Sequence, residues 1–144
     1  MATLLAHVRI KPGAEARFEQ IAADMYRHTH GDEADVRRYE YWRGAEAGTY
    51  YCLESFPDLD GFLTHQTTAH HSSYGPALRE VIAEMHLEWV DPLAHASPLA
   101  PTNTVALRPD ATETYRLAHE RFSSVVAGWW LDLRHLTDPS QEAH

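Results

Sequence analysis

The 144-residue sequence predicts an α+β domain with the element order βαββαβ, and three features carry that prediction. Short runs alternate in twos, as Leu4, Ala6, Val8 and Ile10 do, which is the period of a half-buried strand. Other segments repeat apolar residues every three or four positions, beginning with Phe18, Ile21, Ala22 and Met25, which is the period of a helix. Turn-forming pieces, "KPG" and "RGAEAG", separate the runs.

Taken in order, residues 3–10 read as the opening strand, with Leu5, His7 and Arg9 on the parity opposite its apolar residues. Residues 14–25 form a helix, and the polar "HTHGDEAD" ends it, with Gly31 as the terminator. Residues 36–42 and 49–56 are aromatic and β-branched, so they pair as a hairpin across "RGAEAG". Tyr50, Cys52, Glu54 and Phe56 share one parity, and Arg37 or Arg38 on the neighbouring strand is the expected partner of Glu54. Asp58 is placed to cap the next helix. A second helical piece spans about 76–84, and residues 85–90 alternate as a fourth strand, with Met85, Leu87 and Trp89 on one side and His86 and Glu88 on the other. This order matches a ferredoxin-like sheet with helices on one face. Its other face carries Tyr41 or Trp42 and predicts a partner, most economically a second copy.

Residues 93–110 contain several prolines and alanines and read as a connector over the surface. A helical extension follows over 111–136, with Asp110 and Glu113 at capping-box spacing and Phe122, Val125, Trp129 and Leu133 on its apolar stripe. Gly128 is a place for it to bend, and residues 137–144 form a tail. The extension is expected to close part of a pocket mouth or an interface.

Composition excludes several functions. With 44% hydrophobic and 23% charged residues the chain is globular. A net charge of −9 without a basic cluster argues against nucleic acid and anionic membranes as partners. The single Cys52 allows no internal disulfide and no CxxC metal knuckle, which fits a cytoplasmic location, and neither a signal peptide nor a spanning helix is expected.

The stretch "GFLTHQTTAHHSSY" holds His65, His70 and His71. On a continuous helix His65 and His70 would lie about 140° apart at ~100° per residue, so three ligands converge only if the helix breaks at "TTA". Three readings stand side by side: histidines hydrogen-bonded or exposed on a loop, a metal site, or a pocket in which a neutral imidazole accepts a phenolic proton.

"VRIKPG", "YYCLESF" and "FLTHQTTAHHSSYGPALREV" together resemble the antibiotic biosynthesis monooxygenase family, over about residues 3–92. The most specific element is Phe62-x-x-His65 followed five residues later by His70. The resemblance implies a dimeric α/β barrel of two ferredoxin-like protomers, with a pocket in each. Many members oxidise phenols or hydroquinones with dioxygen and without metal or flavin, the deprotonated substrate supplying the electrons. Where such oxygenases carry a Trp after the third-strand Glu this chain has Phe56, and where some carry an Asn it has Cys52. The haem-degrading branch uses a first-strand Asn, where this chain has Ala6 and His7.

The expected function is therefore a small cofactor-independent oxygenase of a quinol-like, aromatic or polyketide-derived substrate. His65 and His70 are its expected proton acceptors. His7, Arg9, His71, Tyr74, His86, Phe56 and Trp42 are the expected substrate contacts. Domain boundaries fall at 1–92, 93–110, 111–136 and 137–144. Two alternatives stay open: a haem or transition metal bound through His70 or His65, and a non-redox ligand-binding or cyclase-type module.

Overall fold

The computed structural model describes residues 1–124 and 126–137. The order is β1 (Ala2–Ile10), α1 (Glu15–Asp32), β2 (Arg38–Arg43), β3 (Thr49–Phe56), α2 (Leu59–Thr67), α3 (Ala69–Val81), β4 (Ile82–Trp89), α4 (Glu113–Phe122) and α5 (Gly128–Thr137). The four strands form one antiparallel sheet in the order β2-β3-β1-β4, which is the ferredoxin-like arrangement the alternation predicted.

Register follows from which parity must be dry. Leu4, Ala6 and Val8 face Glu54, Cys52 and Tyr50 on β3, and Trp89, Leu87 and Met85 on β4. A one-residue slip would turn that set outward. On this side Ala6, Val8 and Ile10 pack with Phe18, Ile21 and Met25 of α1, while Leu4 packs with Phe56, Leu59, Phe62 and Leu63. Each such large side chain contributes roughly 1.5–3 kcal/mol by leaving water. The other parity, with His7 opposite Tyr51 and His86, forms the open face of the sheet. Trp42 there is 58% exposed.

Several expected boundaries move. Gly31 does not end the first helix: α1 runs through it to Asp32, and Glu33 caps it with an N–H to the Thr29 carbonyl. The histidine segment is two helices rather than one, because Thr68 adopts an extended backbone between them. Its hydroxyl donates to the His65 carbonyl at 2.8 Å and accepts from the His71 N–H at 3.4 Å, so one side chain closes α2 and caps α3. Pro76 lies inside α3 rather than at its start, and the fourth strand begins at Ile82. Asp58 caps α2 as expected, accepting from the Gly61 N–H.

The extension is also two helices, α4 and α5, with Thr112 as the cap of α4 in place of Asp110. Phe122 packs against Phe62, but Trp129 and Leu133 are 63% and 50% exposed, contrary to the stripe expected; Val125 lies outside the described residues. The connector is no surface strap at its end. Thr102 is fully buried, donates from its hydroxyl to the Val90 carbonyl and accepts from the Thr3 N–H, and the Asn103 N–H bonds the Met1 carbonyl. Arg134 of α5 then grips Asp91 and the Thr102 carbonyl.

Candidate functional site

The break at Thr68 brings His65 and His70 to one carboxylate. His65 sits in the last turn of α2 and is completely buried; His70 opens α3. Glu33, at the end of α1, lies between them. Its Oε1 accepts from His65 Nδ1–H at 2.8 Å, and His70 Nε2 lies 3.0 Å from the same oxygen. Thr29 Oγ1 is 3.4 Å from His70 Nε2. The Tyr39 and Phe56 rings stack at 5.0 and 5.1 Å around the His65 ring. With Nδ1–H given to Glu33, His65 keeps a lone pair on Nε2, and that buried atom has no hydrogen-bond partner among the described residues.

Beside this cluster, between the helices and the sheet, lies a cavity of about 680 Å³, within the size of small-molecule sites. Tyr39, Tyr41, Cys52 and Glu54 line its sheet side, and His71 lines its helix side. His65 and His70 stand behind the wall rather than in it. The His71 ring meets the His65 ring edge-on at 4.7 Å.

The wall groups hold their protons in ways burial dictates. Burial pushes the Tyr39, Tyr41 and Cys52 acids well above their usual ranges, so all three are neutral donors at pH 7. Tyr39 and Tyr41 share a hydrogen bond of 3.0 Å. Burial raises the Glu54 carboxyl. Its Oε2 is buried without a hydrogen-bond partner among the described residues. The expected Arg37 or Arg38 partner is absent from it; Arg38 pairs with Glu40 instead. Burial lowers His71 to about 4, so His71 faces the cavity as a neutral imidazole.

The other expected contacts are not brought together with these. His7, Arg9, His86 and Trp42 lie on the open face of the sheet, where His7 bonds Glu88 at 3.0 Å and Arg9 lies 3.7 Å from Glu46. Tyr74 packs at the edge of the core near His28, and Phe56 backs His65. Glu33 went unnoticed as a site residue because it sits in a polar run that reads as a helix end.

A four-stranded antiparallel sheet under helices, with a cavity of ligand size between the layers, defines a ferredoxin-like α+β protein with an internal cavity. The antibiotic biosynthesis monooxygenase family model matches residues 1–76, more than half of the chain, and the chain belongs to that family. Among solved structures it is similar to PA3566 from Pseudomonas aeruginosa, at 18% identity and a TM-score of 0.59 over 64% of this chain and 93% of that one. Rv0793 from Mycobacterium tuberculosis shares 20% identity with a TM-score of 0.60, over 67% and 98% of the two chains. An antibiotic biosynthesis monooxygenase shares 19% identity with a TM-score of 0.60, over 65% and 99%. At these identities the likeness is one of fold. No curated protein matches the chain. The family match ends before α4 and α5 begin.

Proposed function

We propose that the chain is a monooxygenase that oxidises an electron-rich aromatic hydroxyl compound with dioxygen, the substrate itself supplying the electrons. The observation that carries this is the Glu33–His65 pair, with an unpartnered Nε2 directly behind a cavity whose tyrosines and cysteine are kept protonated. The substrate hydroxyl is held at the His71 and Glu54 end of the cavity. His71, a neutral imidazole, accepts a hydrogen bond from it, and His65 is the base proposed to take the proton on its unpartnered Nε2, its Nδ1–H being held by Glu33. His70 steadies Glu33. The resulting phenolate is the reductant: for a hydroquinone, one oxygen atom enters the ring, the other leaves as water, and a hydroxyquinone is formed.

Oxygen uptake with 1,4-dihydroxynaphthalene at pH 7 tests the reading. His65→Gln and Glu33→Gln are expected to lower turnover about 10²–10⁴-fold, with a smaller loss at pH 9, where the substrate ionises unaided. Turnover retained in both variants rejects it.

A second reading has one observation in its favour. Single ligand atoms of Glu33, His65 and His70 all lie within 4.8 Å of one another, a two-histidine, one-carboxylate set suited to a divalent transition metal. If oxidation is lost on chelation and restored by Fe²⁺ or Mn²⁺, this second reading replaces the first. A second copy of the chain is also proposed as the cover of the open sheet face, on the strength of exposed Trp42 and Tyr51 there.

A further inference from the structure

We propose that the cavity takes an aromatic carboxylic acid, its carboxylate gripped by Arg79 of α3 and Arg121 of α4. The inference rests on the reading of this cavity as the substrate site, and it adds the chemistry of the substrate's far end. Both arginines line the cavity, from two different helices. Six other arginines, Arg9, Arg27, Arg38, Arg43, Arg108 and Arg134, have a carboxylate within 4.0 Å. Arg17, Arg37, Arg79, Arg116 and Arg121 have no carboxylate within 4.0 Å among the described residues, although the chain carries a net charge of −9, and of these five Arg79 and Arg121 line the cavity. A guanidinium fork matches a carboxylate with two parallel hydrogen bonds.

Their heads are also aimed. His71, Gly75 and Arg79 follow one another at four-residue intervals along the cavity side of α3, so they form one stripe. A Cβ placed on Gly75 would lie 3.3 Å from Arg79 Nη1. The Arg79 side chain therefore folds back one turn towards His71, over a position with no side chain to obstruct it. At 1.5 Å per residue that leaves about 6 Å of helix between Gly75 and His71, roughly the span of a hydroxyl and a carboxylate on one aromatic ring system. Arg121 is steadied from the other wall, its guanidinium 5.0 Å above the Phe122 ring.

Glu54 is the acidic residue of the cavity lining, and burial disfavours its charge, so an anion in the cavity meets two cations and little opposition. The overall negative field repels anions at long range, which is why acid binding needs this local pair. Because α4 lies beyond the family match, Arg121 is a specificity element of the extension.

Calorimetric binding of 1-hydroxy-2-naphthoate and of 1-naphthol to the full chain at pH 7 is the test, with no turnover involved. The acid is expected to bind about fivefold or more tightly than the naphthol, a difference that charge-assisted hydrogen bonds readily supply. Arg121→Gln and Arg79→Gln should each reduce that preference, with 1-naphthol affinity within about twofold of the parent, and Arg121→Lys should keep part of it. Naphthol binding without preference for the acid overturns the clamp and leaves the cavity reading standing. A preference that survives in Arg79→Gln/Arg121→Gln also overturns it. If neither compound binds, the clamp falls together with the cavity reading.

Discussion

His65 Nδ1 lies 2.8 Å from Glu33 Oε1, and this one contact ties the end of α1 to the end of α2 behind the wall of the cavity. It explains why α1 continues through Gly31, a residue that would otherwise let the chain leave the helix. The carboxylate has to reach a fixed, fully buried imidazole. The proposed proton acceptance and the architecture thus share one bond, and a stability measurement beside the turnover test separates them.

Stability is the first. Glu33→Ala removes the acceptor of a buried donor, and the unmade hydrogen bond is expected to cost about 1–3 kcal/mol in urea unfolding. Glu33→Gln keeps an acceptor and should lose less than half as much. Equal losses in the two variants would mean that the negative charge, rather than the hydrogen bond, is what His65 requires.

Acid sensitivity is placed elsewhere, on the outer side of α1. Arg43 forms two hydrogen bonds of 2.7 and 2.6 Å with Glu19, and the Tyr50 hydroxyl donates to it at 2.8 Å. The Arg43 hydrogen bonds, and then that of Tyr50, hold the Glu19 carboxyl at about 2, below its ordinary 4.5. A carboxyl lowered by folding stabilises above the unfolded value and loses that contribution as pH falls from about 4.5 to about 2. Arg43→Gln should flatten the melting-temperature profile in that window, and 0.5 M salt should do much the same, because the pair is open to solvent. A profile unchanged by the substitution would assign the acid limb to other groups.

How much of this was legible in the sequence depends on the range of the interaction. The sheet was legible because alternation at Leu4, Ala6, Val8 and Ile10 is a local pattern imposed by a dry face. The two-helix histidine segment was only half legible. "TTA" named the place of a break, but helical spacing alone put His65 and His70 on different faces, and the extended backbone at Thr68 realigns them. Glu33 could not be matched to them, since it is 32 residues from His65 in sequence and meets it only in the fold. His7 and His86 oppose an apolar parity and lie on the open face as that parity implies, while the cavity described above is on the other face. The extension misled for a further reason. An apolar stripe states that burial is available; Phe122 uses it against Phe62, while Trp129 at 63% exposed shows that α5 does not.

The open face yields a prediction about assembly. Trp42 and Tyr51 are cross-strand neighbours there, 58% and 37% exposed, and no helix among the described residues covers them. Sedimentation at micromolar concentration should give twice the chain mass, and Trp42→Glu should shift the population to monomer. A monomeric parent chain at those concentrations would remove the second copy from the scheme.

The last prediction concerns α4. Its Phe122 ring meets Phe62 edge-on at 5.5 Å, and Phe62 is fully buried against Phe56 and Trp89. Arg108 and Tyr115 approach Asp60 from the same segment, so the helix is held at both ends. Phe122→Ala removes one face of that aromatic cluster and leaves a gap beside Phe62, which is expected to cost about 3 kcal/mol. Because Phe122 also lines the cavity, the same change should loosen binding of 1-naphthol while Leu131→Ala, on exposed α5, leaves both quantities unaltered. Truncation after residue 109 takes away Phe122 together with the whole of α4 and α5. It keeps Thr102, whose hydroxyl bonds the end of the fourth strand, so the sheet should still form with a lowered melting temperature and an unlidded cavity. Were the truncated chain to melt at the parent temperature and bind naphthol as tightly, α4 would be a bystander, and the wall it lends to the cavity would have no energetic content.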